Sequence, residues 1–400
     1  MPPWTSAGDA PLPASALSAR VIKADQPILN APSATGARRG SAARDARLPI
    51  FAALRGDGCR GRWLEVGPTA WVCEDAVELS ANPPVRPDLR ISAGASGLPF
   101  RYFFVGPDGS LGYKQLETAD VGEPDFELGQ GFAVAVVEER TFGGARYGRT
   151  NNGLWVPMRD LGPAHEFAFQ GTEIPDGEGA GVPFGWVVAD KAKVYAKPSL
   201  AAPTTATKVR FEQVPVLEEA SSFAGKFARI GDGEWLSSKD VRHPTVQPPP
   251  SEVDAEGGER WIDIELASQT LVAYEGRRPV FATLVSTGKG RPGSPTATPT
   301  GTHRVWIKML SSNMDNLEDE NAARYYRMED VPWVQYFSKG VGLHGAFWHR
   351  SFGNVRSHGC VNLAPLDAQR LFWWTSPHLP AGWTATTPTP LERGAVIRVR

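Results

Sequence analysis

Downstream of residue 260 the apolar positions alternate with a period of two. In WIDIEL, residues 261–266, Ile262, Ile264 and Leu266 fall on one face, which predicts a strand with that face buried. LVAYEGRRPVFATLVS, 271–286, predicts a hairpin turning at Gly276-Arg277-Arg278. THRVWIKM at 302–309, VGLH at 341–344 and the closing VIRVR predict further strands. One helix stands out. It begins at Pro365, with proline in the first helical position and Ala368, Leu371 and Phe372 on one apolar face. Between these elements, MLSSNMDNLEDENAARYYRMEDVPWVQYF, 309–337, has the polar and aromatic composition of a long connection that covers a site as a lid.

Upstream, short apolar stretches recur with a longer period. TAWVCEDAVEL, GLWVPMRDL and GEWLSSKDV place Trp71, Trp155 and Trp235 before an aliphatic residue and a final short apolar pair, at spacings of 84 and 80 residues. Short strands, frequent Gly/Pro turns and a closing tryptophan predict small antiparallel barrels, with the rings as core plugs rather than ligand platforms. These units resemble bacterial Src-homology-3-like domains. The expected organisation is a disordered segment 1–19, a first unit 20–80, a divergent second unit 81–165 and a third at 183–244. The proline-rich stretch 245–257 reads as a stiff, solvated spacer before a mainly β domain at 258–400.

Composition narrows the partners. The 42 basic residues against 44 acidic ones give a net charge of -2 over 400 residues, which argues against nucleic acid or an anionic membrane as partner. Apolar runs such as FAVAVV, 132–137, are far short of the roughly 20 residues of a spanning helix. The first residues show no basic start followed by an apolar stretch, so no signal peptide is visible, as would also hold for a mature chain. Cys59 and Cys73, in GCRGRWLEVGPTAWVC, sit where a hairpin would bring them together. They read either as a disulfide, which implies an oxidising compartment, or as two buried thiols.

Cys360 is the third cysteine, within HGAFWHRSFGNVRSHGCVNL at 344–363, a stretch that holds three of the seven histidines. A thiol with an ordinary pKa near 8.5 needs a base or an anion-stabilising site to react at neutral pH. The following helix is expected to aim its amino end at the sulfur, and the N–H groups around Gly359 and Cys360 to form an oxyanion hole. A zinc site built from His344, His349, His358 and Cys360 is the competing reading, disfavoured because no CxxC or HExxH pair is present.

The order HG, spacer, SHGCVN resembles the L,D-transpeptidase catalytic domain of the YkuD type, and TPTGTHRVWI at 298–307, after LVSTGKG, resembles the same family. The resemblance implies a β-sandwich-like domain, Cys360 as nucleophile, His344 as its base and Gly345 as the carbonyl that orients the imidazole. Ser357, His358, Gly359 and Asn362 are implied as supporting or oxyanion residues. Arg356, Trp348, His349 and Tyr336 are expected at the substrate. It further implies an envelope enzyme, periplasmic or secreted, without cofactor or metal, that acts on peptidoglycan stem peptides and is acylated by carbapenems. The acyl acceptor is another stem, water or an envelope protein's lysine. An L,D-carboxypeptidase, an NlpC/P60-like endopeptidase and a non-catalytic wall-binding protein remain the alternatives; in the endopeptidase a histidine follows the cysteine, and here only His378 does.

Overall fold

The fold is taken from a computed structural model that describes residues 2–85, 96–119, 122–165, 169–175, 182–223, 225–316 and 325–400. Two sheets form the C-terminal domain. The first contains β1 (Arg260–Glu265), β2 (Thr270–Glu275), β3 (Arg278–Leu284), β4 (Gly301–Arg304) and, at the chain end, Val396–Val399. Its order is β3-β2-β1, then Val396–Val399, then β4, with Trp261 parallel to Val396. The second is built around β5 (Ile307–Asp315), β6 (Arg327–Ser338), β7 (Val341–Gly345) and β8 (Val361–Leu363), followed by α1 (Pro365–Trp374), then β9 (Trp383–Thr386), and β10 is the strand Val396–Val399 already placed. Ile262, Ile264 and Phe281 meet Trp333, Leu343, Val361, Leu371 and Phe372 in the core between the sheets.

Three expectations are modified. THRVWIKM splits into β4 and β5, which lie in different sheets, so the chain crosses the core at Val305-Trp306. The stretch expected as a lid is mostly the antiparallel β5–β6 hairpin, and its tip, 317–324, lies outside the described residues. β1 is buried on both faces, not one: Trp261 stacks on Tyr274 with centroids 4.2 Å apart, and Asp263 is ion-paired with Arg400 at 2.9 Å. A half-buried alternation becomes fully buried because a second cluster, including Trp186 and Phe184, covers that face.

The three upstream units share one strand arrangement. Leu29 pairs with Trp71, Tyr113 with Trp155, and Tyr195 with Trp235. The closing strand pairs with the opening one each time: Val77–Ser80 with Ser18–Val21, Leu161–Pro163 with Arg101–Val105, and Val241–Arg242 with Phe184–Val187. Trp71 and Trp155 are buried, whereas Trp235 is half-buried and the third core is aliphatic, with Val194, Ile230 and Leu236. The expected core plug is therefore absent from the third unit.

All three units are fastened to the C-terminal domain. In the first, Gly40 opposes Thr386 of β9, and the buried Arg39 donates to Thr386 Oγ1 at 2.6 Å. A Cβ at Gly40 would meet the Ala385 carbonyl at 2.3 Å, so only glycine permits this approach. In the second, Trp333 Nε1 donates to the Gly97 carbonyl at 2.6 Å and Ala133 lies beside Met328 of β6. In the third, Arg242 Nε donates to the Gly353 carbonyl at 3.0 Å and Phe211 packs on Phe352, as does Phe169 from the segment before that unit.

The proline-rich stretch expected as a solvated spacer is laid on this domain. Gln247 N–H donates to the Tyr274 hydroxyl at 2.9 Å, Arg398 donates to the Pro248 carbonyl at 2.9 Å, and Val253 is buried. Proline lacks an N–H and leaves few backbone donors to satisfy, which lets such a strap lie flat on a sheet. The leading segment expected to be disordered also makes specific contacts: Ser6 N–H donates to Glu65 at 2.8 Å, and Asp9 N–H to Ala53 O at 3.1 Å.

Cys59 and Cys73 form a disulfide with Cα atoms 5.7 Å apart, clipping the loop before the strand Trp63–Gly67 to the end of the strand Ala70–Cys73. A loop of this length restricts the unfolded chain by roughly 3 kcal/mol. Thiol titration of the denatured, unreduced protein is expected to find a single thiol, and Cys59→Ser to lower the unfolding free energy by about that amount. Three titratable thiols would remove the bond.

Candidate active site

β7 and β8 run parallel, with His344 opposite Asn362 and Leu343 opposite Val361. Side chains alternate along a strand, so Leu343, Val361 and Leu363 enter the core while His344 and Asn362 share the other face. Cys360 directly precedes β8, beside Gly342. Glycine is needed there, since a Cβ would meet the Gln335 carbonyl at 2.6 Å. His344, Cys360 and Asn362 line one cavity of about 860 Å³, together with Tyr336, Trp348, Arg356, Ser357 and His358.

His344 is 2% exposed. Its Nδ1 lies 3.2 Å from the Gly345 carbonyl, which fixes the tautomer: Nδ1–H donates and Nε2 is left free to accept a proton. Burial disfavours the imidazolium and pushes the pKa down to about 4. The Trp348 ring lies on the imidazole, centroids 5.6 Å apart, and restrains it further.

The half-buried Cys360 thiol donates to the Gly340 carbonyl at 3.8 Å, and burial pushes its pKa up. This corrects the expectation of a helix-stabilised thiolate. β8 separates the sulfur from α1, three residues at about 3.3 Å each, whereas helix-end fields fade within a turn. The resting pair is therefore neutral thiol and neutral imidazole.

The expected oxyanion donors are also rearranged. Gly359 N–H donates to Ser357 Oγ at 3.1 Å, and Ser357 Oγ donates to the Cys360 carbonyl. Of the two amides expected to converge, only that of Cys360 is not held by a side chain among the described residues. Gly359 has φ +130°, which excludes other residues on backbone grounds.

His349, expected at the substrate, does not line the cavity. It is buried, with Nδ1 accepting Ser351 N–H at 3.0 Å and Nε2 lying 2.8 Å from the Asn362 side-chain amide. Because Nδ1 accepts, the neutral ring carries its hydrogen on Nε2, and that hydrogen bond assigns the facing amide atom of Asn362 as oxygen. Both ring nitrogens are thus occupied, Nδ1 by the Ser351 N–H and Nε2 by Asn362, which leaves neither free for a metal. His378 is far from this arrangement in its bonding: its Nδ1 lies 2.5 Å from Glu392 and it does not line the cavity.

A profile of the YkuD family, described as the L,D-transpeptidase catalytic domain, matches residues 259–388. Residues 259–388 are an L,D-transpeptidase catalytic domain. No curated protein matches the chain. Among solved structures, the chain is similar to the catalytic domain of the Enterococcus faecium L,D-transpeptidase, with 22% identity, coverage of 36% of this chain and 98% of that one, and a TM-score of 0.27. It is similar also to the Xylanimonas cellulosilytica L,D-transpeptidase (22% identity, 38% and 64% covered, TM-score 0.25). For an L,D-transpeptidase of Mycobacterium tuberculosis the identity is 15%, with 54% and 76% covered and a TM-score of 0.26.

Several residues of the L,D-transpeptidase site escaped the sequence reading. Lys289, Tyr326, Met314 and Met328 line the cavity. Tyr326 stacks on His358 with centroids 5.9 Å apart, and burial pushes the Tyr326 and Tyr336 phenol pKa values up. Lys289 lies in the quoted LVSTGKG, and the tyrosine in the ARYY run, but neither motif specifies which side chain faces the sulfur. The role of TPTG is also resolved. Thr298 Oγ1 accepts Gly288 N–H at 2.8 Å and donates to the Gly359 carbonyl at 2.7 Å, clamping the two stretches around the cysteine loop. Thr298→Val leaves two buried backbone groups unpaired and is expected to cost about 1–3 kcal/mol, read from the urea midpoint. An unchanged midpoint would show that the clamp is replaced by water.

Proposed function

We propose that the chain is a peptidoglycan L,D-transpeptidase of the cell envelope that works through an acyl-thioester on Cys360. The observation that carries this reading is the placement of Cys360 and a neutral, tautomer-fixed His344 on one wall of a single cavity. His344 Nε2 takes the thiol proton as sulfur attacks the carbonyl of the third, diamino-acid residue of a stem tetrapeptide. The carbon–nitrogen bond to the terminal D-alanine breaks, and its amine leaves with the proton held by His344. An acceptor amine then attacks the thioester, forming carbon–nitrogen and breaking carbon–sulfur, and the sulfur regains a proton. The Cys360 amide is the donor available to the developing oxyanion.

The disulfide in the first unit supports an oxidising compartment. Among the described residues no helix is long and apolar enough to cross a membrane. Incubation of the purified chain with disaccharide tetrapeptide, followed by mass spectrometry, tests the function. Loss of D-alanine with a dimeric product is the expected result; loss with only the tripeptide formed indicates a carboxypeptidase. No change in the substrate would refute both.

A further inference from the structure

A second cleft, of about 700 Å³, opens where the third upstream unit meets the loop that precedes the catalytic cysteine. Asp190 and Arg210 come from that unit, and Arg350, Asn354, Val355 and Arg356 from the loop. Val355 and Arg356 also line the cavity that holds Cys360, so the two hollows share a wall.

The charges along this cleft are unequal. Asp190 is taken by Arg210, whose Nε donates to it at 2.8 Å. Arg350 and Arg356 are exposed and form no ion pair among the described residues. Two guanidinium groups therefore line the approach to the active site without an anion of their own. The third unit is held in position to complete the cleft by Arg242 on the Gly353 carbonyl at 3.0 Å and by the Phe211–Phe352 contact.

We infer that this cleft is the subsite of the acyl acceptor, and that the acceptor is a peptide bearing carboxylates. The inference rests on the acyl-transfer reading above. Once Cys360 carries an acyl group, the donor occupies the Cys360 cavity, and the acceptor amine must arrive from beside it. A cleft that flanks that cavity, with only Val355 and Arg356 as the shared wall, lies on that side of it. Guanidinium groups bind carboxylates through paired N–H donors and hold a flexible peptide in register. The acceptor's carboxylates sit on Arg350 and Arg356, and its amine reaches the thioester. Nitrogen then bonds to the carbonyl carbon, carbon–sulfur breaks, and the ammonium proton passes to the sulfur by way of His344. The third unit is on this account part of the substrate-binding surface.

The test uses the full chain with Cys360 blocked by a carbapenem, so that the donor cavity is filled. Calorimetry then compares disaccharide tetrapeptide bearing free carboxylates with its amidated counterpart. The acylated protein is expected to bind the carboxylate form about tenfold more tightly, the scale of one charged hydrogen bond, and Arg350→Ala and Arg356→Ala are each expected to lose most of that difference. Equal affinities for the two peptides, no binding to the acylated protein, or displacement by equimolar inorganic phosphate would overturn the inference. If carbapenem leaves Cys360 unmodified, the acyl-transfer reading fails by itself. The same comparison on Cys360→Ala then decides the cleft: discrimination that disappears with Arg350→Ala supports a carboxylate subsite, and discrimination that persists refutes it.

Discussion

Cys360→Ala and His344→Ala are each expected to lower turnover of disaccharide tetrapeptide by more than about a hundredfold, the usual scale for removing a nucleophile or its base. The two losses have different origins. Without the sulfur no thioester forms. Without the imidazole, a thiol whose pKa is raised by burial has no acceptor for its proton, and the cavity cannot ionise it unaided. Because His344 is buried, His344→Gln is the companion variant: it fills the space and keeps a polar group near the Gly345 carbonyl, but takes up no proton. Both variants should retain the native circular dichroism spectrum. Near-native turnover in either His344 variant would show that another group is the base. His349→Ala is expected to cost less than either, because His349 acts on Asn362 rather than on the reacting atoms.

Carbapenem is expected to add one drug mass at Cys360, with a pH profile set by a neutral pair. His344 is pushed down to about 4, so its basic form is already dominant above that pH. The Cys360 thiol is raised, so the intact thiol persists well into the alkaline range. Acylation measured by intact mass should therefore rise through about pH 4, stay level between pH 5 and 8, and change again only where the thiol itself ionises. Chelator should leave the rate unchanged. A single inflection near the ordinary histidine value of about 6.5 would mean that the imidazole is solvated during reaction. A requirement for chelation before Cys360 reacts, or one tightly bound zinc per chain, would restore the metal reading.

The shared face of the candidate site residues was legible because it is local. The HG and SHGC stretches lie on neighbouring strands, and the period-two alternation of GLHG and CVNL already assigns His344 and Asn362 to the face opposite Leu343 and Val361. The helix at Pro365 was likewise visible, since proline at its start and an apolar stripe are encoded within ten residues. The recurrence of Trp71, Trp155 and Trp235 marked three positions whose residues pair alike, with Leu29, Tyr113 and Tyr195.

What the sequence could not express depends on which surfaces meet. The state of Cys360 was read from its chain neighbours, yet it is set by burial, which raises the pKa against the Gly342 backbone N–H that lowers it. His349 is as near in sequence to the cysteine as a substrate contact would be, but tertiary packing places it beneath Asn362. The proline-rich stretch has the composition of a spacer, and only the waiting Tyr274 hydroxyl and Arg398 make it a strap. Alternation along the chain determined which residues share a face. Whether that face meets solvent, a core, or a charge from a residue a hundred or more positions away, as Arg210 meets the loop at Arg350, was decided by long-range packing, because desolvation and charge act through space rather than along the chain.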